Sequence, residues 1–222
     1  GASYTHAGTE FCAGSCAHTD MAILSFHPVK HITTGEGGAV LTNDATLYRR
    51  LCDLRTHGIT RSPDRLTRAD GPWYYEQHDL GFNYRITDFQ CALGLAQLKK
   101  LSQFVERRRE LLADLRDEVT LLTERDGRRS SYHLMVAQIR GGARRRRQVF
   151  EQLAAQGIRA QVHYIPVHLQ PWYRQRFGYQ PGSFPAAESY YAGCISLPLF
   201  PAMSDADVER TATALRSALL SC

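Results

Sequence analysis

The sequence predicts a mixed α/β fold in two parts, and three observations carry that reading. Two short apolar runs of strand length, Met21 to Phe26 and Ala39 to Thr42, flank a glycine-rich turn. Capped helical stretches with apolar stripes follow them. From about Leu121 the pattern becomes strand, helix, strand, and it closes on a helix, a unit of ordinary small-domain size. The expected division is 1–105 for the first domain and 106–222 for the second with its connecting helix.

Taken in order, Gly1 to Asp20 is rich in small and polar residues and reads as loop, without helical periodicity. Pro28 keeps His27 out of the helical region, so the chain stays extended or turns as it approaches Lys30. Gly35, Gly37 and Gly38 supply the turn back into Ala39 to Thr42. Asn43-Asp44 caps a helix, Ala45 to His57, with Leu47, Leu51 and Leu54 on one face and Gly58 to end it. Ile59 to Asn83 is polar and irregular, with Trp73-Tyr74-Tyr75 inside it; loops of this length usually have a task. Thr87-Asp88 opens a helix over Phe89 to Leu101, and a second runs from Gln103 to Val119. Its Arg107-Arg108-Arg109-Glu110 run reads as a solvated face paired with nearby acids. Beyond it come a strand at Tyr132 to Ile139, a helix at Ala143 to Gln156 ended by Gly157, and a strand at Ile158 to His163. Pro- and aromatic-rich connections lead to an apolar run at Cys194 to Leu199, and Ser204-Asp205 caps a last helix to about Leu220.

With 43% hydrophobic residues the chain can bury a core, which excludes wholesale disorder. A net charge of +5 suits anionic, phosphate-bearing small molecules as well as nucleic acid. The basic run Arg144 to Arg147 opens a helix without interleaved aromatics, so a solvated helix face is expected there and no nucleic-acid partner. The six cysteines are scattered with no C-x-x-C pair, which points to reduced thiols in a cytoplasmic protein and to no zinc site. No apolar stretch reaches membrane-spanning length, and no signal peptide or membrane partner is expected.

The chemistry centres on Ser25 to Val40, SFHPVKHITTGEGGAV. Of 27 Lys and Arg residues, only Lys30, Lys99 and Lys100 are lysines. Arginine stays protonated, whereas a lysine can be neutralised and form a Schiff base with an aldehyde. Ser25 and Lys30 on one tight turn would offer a hydroxyl for a phosphate and an amine for an aldehyde; a plain hairpin with a surface lysine has the same spacing. Asn83 and Arg85 stand before a helix N-terminus, where free backbone amides favour anions. Alternatively Asn83 is a turn residue, Arg85 pairs with Asp88, and Thr87 caps the helix. His163, Tyr164 and His168 can approach one site or simply pack, and nothing near them completes a metal set.

Two blocks, SFHPVKHITTGEGGAVLTND and DLGFNYRITDFQCALGLAQL, resemble the lysine segment and the next signature of the DegT/StrS-type sugar aminotransferases. SSYHLMVAQI, VHYIPVHLQPWY and ISLPLFPAMSDADVER follow in the same order, so the resemblance covers essentially the whole chain. VHYIPVHLQPWY resembles the transaminases of pseudaminic acid synthesis. The resemblance implies a fold-type I enzyme dependent on pyridoxal 5'-phosphate, with a nucleotide-linked 4-keto-deoxysugar as substrate and glutamate as amino donor. It implies that Lys30 bonds the cofactor and shuttles the proton, and that Ser25 binds its phosphate. It further implies that Asn83, with Arg85 close by, reaches the phosphate held by the neighbouring subunit of a homodimer with shared active sites. His163 and Tyr164 match positions near the sugar. Relatives with His at the lysine position are dehydratases, so Lys30 favours transamination. In the family a cofactor-binding half precedes the point matching Gly1, and it carries the aspartate that pairs with the pyridine nitrogen. The expectation is a C-terminal portion, with part of the large domain and a small α/β domain, that does not transaminate alone. The alternative is an inactive remnant serving as a binding or dimerisation module.

Overall fold

The computed structural model describes residues 1–113, 120–121 and 124–221. It forms two compact units, Gly1–Leu101 and Ser102–Cys222.

The first unit opens with a feature that the loop reading of Gly1 to Asp20 does not contain. Strands β1 (Ser3–His6) and β2 (Thr9–Cys12) pair antiparallel, with His6 opposite Thr9. Ala7 and Gly8 make the two-residue turn, both with positive φ (48° and 79°), the backbone that matches strand twist in tight hairpins. Tyr4 stacks on its cross-strand partner Phe11 at 5.5 Å, and its hydroxyl lies 2.8 Å from His18 Nδ1. An Ala-Gly turn between polar strands carries no Asn-Gly signal and no apolar alternation, which is why composition hid it.

Strands β3 (Ala22–Ser25) and β4 (Gly38–Leu41) form the expected hairpin, in register from Ala22 opposite Leu41 to Ser25 opposite Gly38. Helix α1 (Ala45–Arg55) starts as read: the Asp44 carboxylate accepts from the Thr46 and Leu47 amides at 2.6 and 2.9 Å. It stops at Arg55 because Thr56 pairs instead with Asn83 in an isolated bridge. The long segment after it is closed by β5 (Ile59–Thr60) against β6 (Glu76–Gln77) and by a bidentate Arg65–Asp53 pair at 3.0 and 2.6 Å. Glu76 gathers the rest, accepting from the Thr67 amide and hydroxyl and from Tyr74 Oη, with His78 Nε2 at 2.7 Å. Helix α2 (Asp88–Leu98) begins with a capping box between Thr87 and Gln90. No apolar side chain of residues 1–101 is buried; the buried residues there are Thr34, Gly58 and Thr60. Ile23, Leu80 and Phe89 are 82%, 86% and 90% exposed, so this unit has no hydrophobic core of its own.

The second unit holds the core. Helix α3 (Leu101–Ala113) buries Val105, Arg108, Leu111 and Leu112, the i, i+3, i+6, i+7 stripe of one helix face. The remainder of the helix expected to Val119 lies outside the described residues. Strands β7 (Thr120–Leu121) and β8 (Arg128–Arg129) are two residues each, and β9 (Met135–Gln138) is the fully formed centre of the order β10-β9-β7. Helix α4 (Gly142–Ala155), short helices α5 (Pro171–Phe177) and α6 (Pro185–Gly193), strand β10 (Cys194–Leu197) and helix α7 (Asp205–Leu220) complete it. β9 and β10 run antiparallel and are buried along nearly their whole length. Val149 and Leu153 of α4 and Val208, Ala212, Leu215 and Ala218 of α7 join the same cluster.

Three expectations change here. Ile158 to His163 is no strand: it meets β10 at one pair, Gln161 with Ser196, whose amides and carbonyls exchange bonds at 2.9 and 2.7 Å. Ile158 and Ala160 still alternate into the core, which is the signal that mimicked a strand. The proline- and aromatic-rich connections fold as α5 and α6, each with proline in its first turn, where the missing amide costs nothing. The arginine runs are not merely solvated. Arg108 is buried, and its Nη1 donates to the carbonyls of Tyr132, His133 and Leu199 at 3.4, 3.3 and 2.7 Å. Arg109 pairs with Glu124, Arg145 donates to the Leu219 carbonyl, and Arg146 lies over the Tyr191 ring. The described cysteines Cys12, Cys16, Cys52, Cys91 and Cys194 are free thiols, and no helix among the described residues is long and apolar enough to cross a membrane.

Two outcomes are expected. Replacing Arg108 by Leu leaves its three carbonyls without that donor and should cost about 3 kcal/mol, read as a lower midpoint in urea denaturation. Hydrogen bonds from Thr67, His78 and Tyr74 pull Glu76 from 4.5 down to about 2. A depressed carboxyl contributes stability above its unfolded value and loses it as pH falls through the folded one. The melting temperature should therefore decline between pH 4.5 and about 2, and Glu76→Gln should flatten that part of the profile.

Candidate functional site

The β3–β4 hairpin presents the lysine on the turn 26–37, and that turn is closed by its own backbone. The Phe26 amide donates to the Gly37 carbonyl at 2.9 Å, and the Thr34 amide returns to the Phe26 carbonyl at 3.0 Å. Thr33 Oγ1 donates to the same carbonyl at 3.0 Å and accepts from the Gly35 amide at 2.9 Å. His27 organises the approach to the lysine: its carbonyl accepts from the Lys30 amide at 2.9 Å and its Nδ1 from the Val29 amide at 3.3 Å. Ser25, at the end of β3, is exposed and accepts from the His27 amide at 3.5 Å. Lys30 is half-buried. Ser25 thus ends the strand that leads into the turn carrying Lys30.

Thr34 is the buried pivot of the turn, 4% exposed, with its hydroxyl on the Glu36 carbonyl at 2.7 Å. Gly37 is required beside it. Its φ is 147°, and a methyl group there would stand 2.6 Å from Thr34 Oγ1. Gly94 of α2 faces the same residue, since a Cβ would lie 2.9 Å from Thr34 Cγ2. Gly94 thus lets α2 approach the turn, and Gly37 lets the turn close around Thr34.

Asn83 and Arg85 are both exposed. Asn83 is held extended by its bridge to Thr56, and the Tyr84 amide bonds the Arg55 carbonyl at 3.0 Å. Arg85 makes no ion pair with Asp88, so that alternative is set aside, while Thr87 does cap α2. The capping box uses two of the amides at the start of α2. The Gln90 amide is taken by Thr87 Oγ1 at 3.3 Å and the Thr87 amide by Gln90 Oε1 at 3.1 Å. These two amides are closed to a ligand, and the exposed side chains of Asn83 and Arg85 stand just before them.

In the second unit, His163 Nδ1 lies 2.8 Å from the buried Ser196 hydroxyl, and the Tyr164 ring, 68% exposed, packs edge-on against the imidazole at 4.6 Å. His168 is separate from them in role. It is buried, lies 2.8 Å from Glu188 and sits against Phe184, a packing histidine. Its imidazole, followed by the Gly182 and Phe184 amides, holds the Glu188 carboxyl below its ordinary value. Among the described residues no group of three His, Cys, Asp or Glu can hold a metal. Burial pushes the Cys194 thiol up, which suits packing rather than reactivity.

A family model for the DegT/DnrJ/EryC1/StrS aminotransferases matches residues 2–216. The chain belongs to this family. Among DegT/DnrJ/EryC1/StrS relatives, the UDP-4-amino-4,6-dideoxy-N-acetyl-β-L-altrosamine transaminase of Campylobacter jejuni is 34% identical over 197 residues, 86% of this chain and 50% of that protein. The structure of Helicobacter pylori PseC, an aminotransferase of pseudaminic acid biosynthesis, superimposes with a TM-score of 0.83 at 30% identity, over 92% of this chain and 54% of that one. Spr1654 of Streptococcus pneumoniae in its PLP form gives 0.85 at 25% identity, over 100% of this chain and 55% of that one. The chain spans about half the length of the relatives it matches.

The residue that sequence reasoning missed is Gln90. The Thr-x-x-Gln pattern signals a helix cap, but nothing local announces that the carboxamide also reaches Glu36, 54 positions away. Two alanine substitutions test the turn. Gly35→Ala meets nothing within 4 Å and pays only for its positive φ of 79°, about 1 kcal/mol. Gly37→Ala adds the clash with Thr34 and should cost about 2–3 kcal/mol, measured by chemical denaturation.

Proposed function

We propose that this chain is the lysine-bearing, C-terminal portion of a pyridoxal-phosphate-dependent sugar transaminase. The substrate class is a nucleotide-linked 4-keto-deoxysugar, within the chemistry of pseudaminic acid synthesis, and glutamate is the amino donor. One observation carries the reading: Lys30 lies on a turn pinned by its own backbone and entered from Ser25, in a chain that matches an aminotransferase family over residues 2–216. The donor chemistry fits the cofactor. A phosphate monoester calls for hydroxyl, amide and guanidinium donors, which Ser25, Asn83 and Arg85 provide on exposed positions, and an aldehyde calls for an amine.

When bound, pyridoxal phosphate supplies an aldehyde for the lysine and a ring that takes up the electron pair left when a C–H bond breaks. Lys30 Nζ is the base that removes the proton from the donor carbon and returns one at C4 of the sugar. Ser25 Oγ orients the phosphate from the strand end that leads into the turn. Asn83 and Arg85 serve the phosphate of the partner subunit's site in a cytoplasmic homodimer. His163, braced on Ser196, and Tyr164 orient the sugar. The amino group leaves glutamate, 2-oxoglutarate forms, and the ketone becomes an amine.

A second reading, a binding or dimerisation module, is supported by the absence of a buried apolar side chain in residues 1–101. The two separate on chemistry. Incubation with pyridoxal phosphate followed by borohydride, then peptide mapping, should modify Lys30 in preference to Lys99 and Lys100, and Lys30→Ala should abolish that product. Turnover of a nucleotide-linked 4-keto-sugar with glutamate should require the remaining half of the family's length. Turnover by this chain alone would sink the partial-enzyme reading, and equal labelling of all three lysines would favour the module.

A further inference from the structure

We infer that Gln90 is a positioning residue that holds the Lys30 turn on helix α2. The inference rests on the reading of Lys30 given above. Its carboxamide is used at both ends. Oε1 accepts from the Thr87 amide at 3.1 Å and from Thr87 Oγ1 at 2.9 Å, completing the cap of α2. Nε2 donates to the Glu36 carbonyl at 2.8 Å. That carbonyl is the one that the Thr34 hydroxyl also reaches, at 2.7 Å. A single planar group therefore links the first turn of α2 to the loop that carries the lysine.

The neighbouring contacts leave the turn one seat. Gln90 and Gly94 are four residues apart, on one face of α2. Gly94 admits the Thr34 methyl where a Cβ would come within 2.9 Å, and Gly37 admits the Thr34 hydroxyl. Shape thus fixes how far the turn approaches the helix, and the Gln90 bond fixes its register along it. The segment Asn83–Arg85 leads directly into the same helix, so one carboxamide sets the lysine turn against the segment proposed to hold phosphate. A catalytic amine displaced by an ångström loses much of its rate, which gives such a tie its value.

Gln90→Glu separates the two ends of the group. Glutamate at this position still completes a capping box, so α2 keeps its start. It has no donor for Glu36 and turns a carboxylate toward a carbonyl oxygen. Gln90→Met removes both ends. The test combines amide hydrogen exchange of the full chain with pyridoxal-phosphate and borohydride labelling of Lys30 relative to Lys99 and Lys100. In Gln90→Glu, amides of residues 26–37 should exchange about threefold to tenfold faster, the range expected for one lost hydrogen bond, while α2 amides stay within about twofold. The labelling preference for Lys30 should fall by a similar factor, and in Gln90→Met both regions should loosen. Unchanged exchange in the turn overturns the inference. So does α2 loosening as much as the turn in Gln90→Glu, including outright unfolding, because Gln90 is then only a cap. A loosened turn with an unchanged Lys30 preference also overturns it. If the unsubstituted chain shows no preference for Lys30, the cofactor reading fails, and the exchange measurements still decide whether Gln90 ties the turn.

Discussion

Backbone carbonyl oxygens are strong acceptors, and in both units the side-chain donors that meet them fasten segments distant in sequence. In the first unit the Phe26 and Glu36 carbonyls of the lysine turn are met by Thr33, Thr34 and Gln90. In the second, the carbonyls of Tyr132, His133 and Leu199 converge on one buried guanidinium, Arg108. Burial alone pulls that arginine's pKa down, yet a guanidinium carries enough donors to serve carbonyls up to 91 residues away along the chain. Each unit is thus fastened by a side chain that reaches backbone far away in sequence.

The units differ in what surrounds those fasteners. Residues of α3, α4, α7, β9 and β10 make a continuous apolar cluster with Met135, Leu153, Ile195 and Leu215 fully buried. The first unit has nothing comparable: α1 and α2 bury no residue, and its order comes from hydrogen bonds, helix caps and ion pairs. Net hydrogen-bond contributions are small, so a unit built on them depends on each one more than a packed core does. That is why the glycines near Thr34 matter: without a core to absorb a shift, a methyl group at Gly37 displaces the turn itself.

Where the sequence was read correctly, the determining physics was local. Asp44, Thr87 and Ser204 cap helices because their side chains reach amides two or three residues on. The 208, 211, 212, 215, 218 stripe of α7 is a 3.6-residue period and needs no fold to be seen. Helices α5 and α6 escaped because proline and aromatics look like loop, although proline in a first turn is compatible with a helix. The β1–β2 hairpin escaped because its turn is Ala-Gly and its strands are polar.

Sequence alone determined the lysine hairpin, its serine, the capped helix behind it and, through motifs, the family. Those features arise from spacing within a few residues, which a linear string records. Only the tertiary structure decided which arginines are buried, that His168 packs against Glu188 while His163 rests on Ser196, and that Gln90 reaches Glu36. Each of those outcomes joins groups 20 to 91 residues apart, through distances that exist only after the chain has folded.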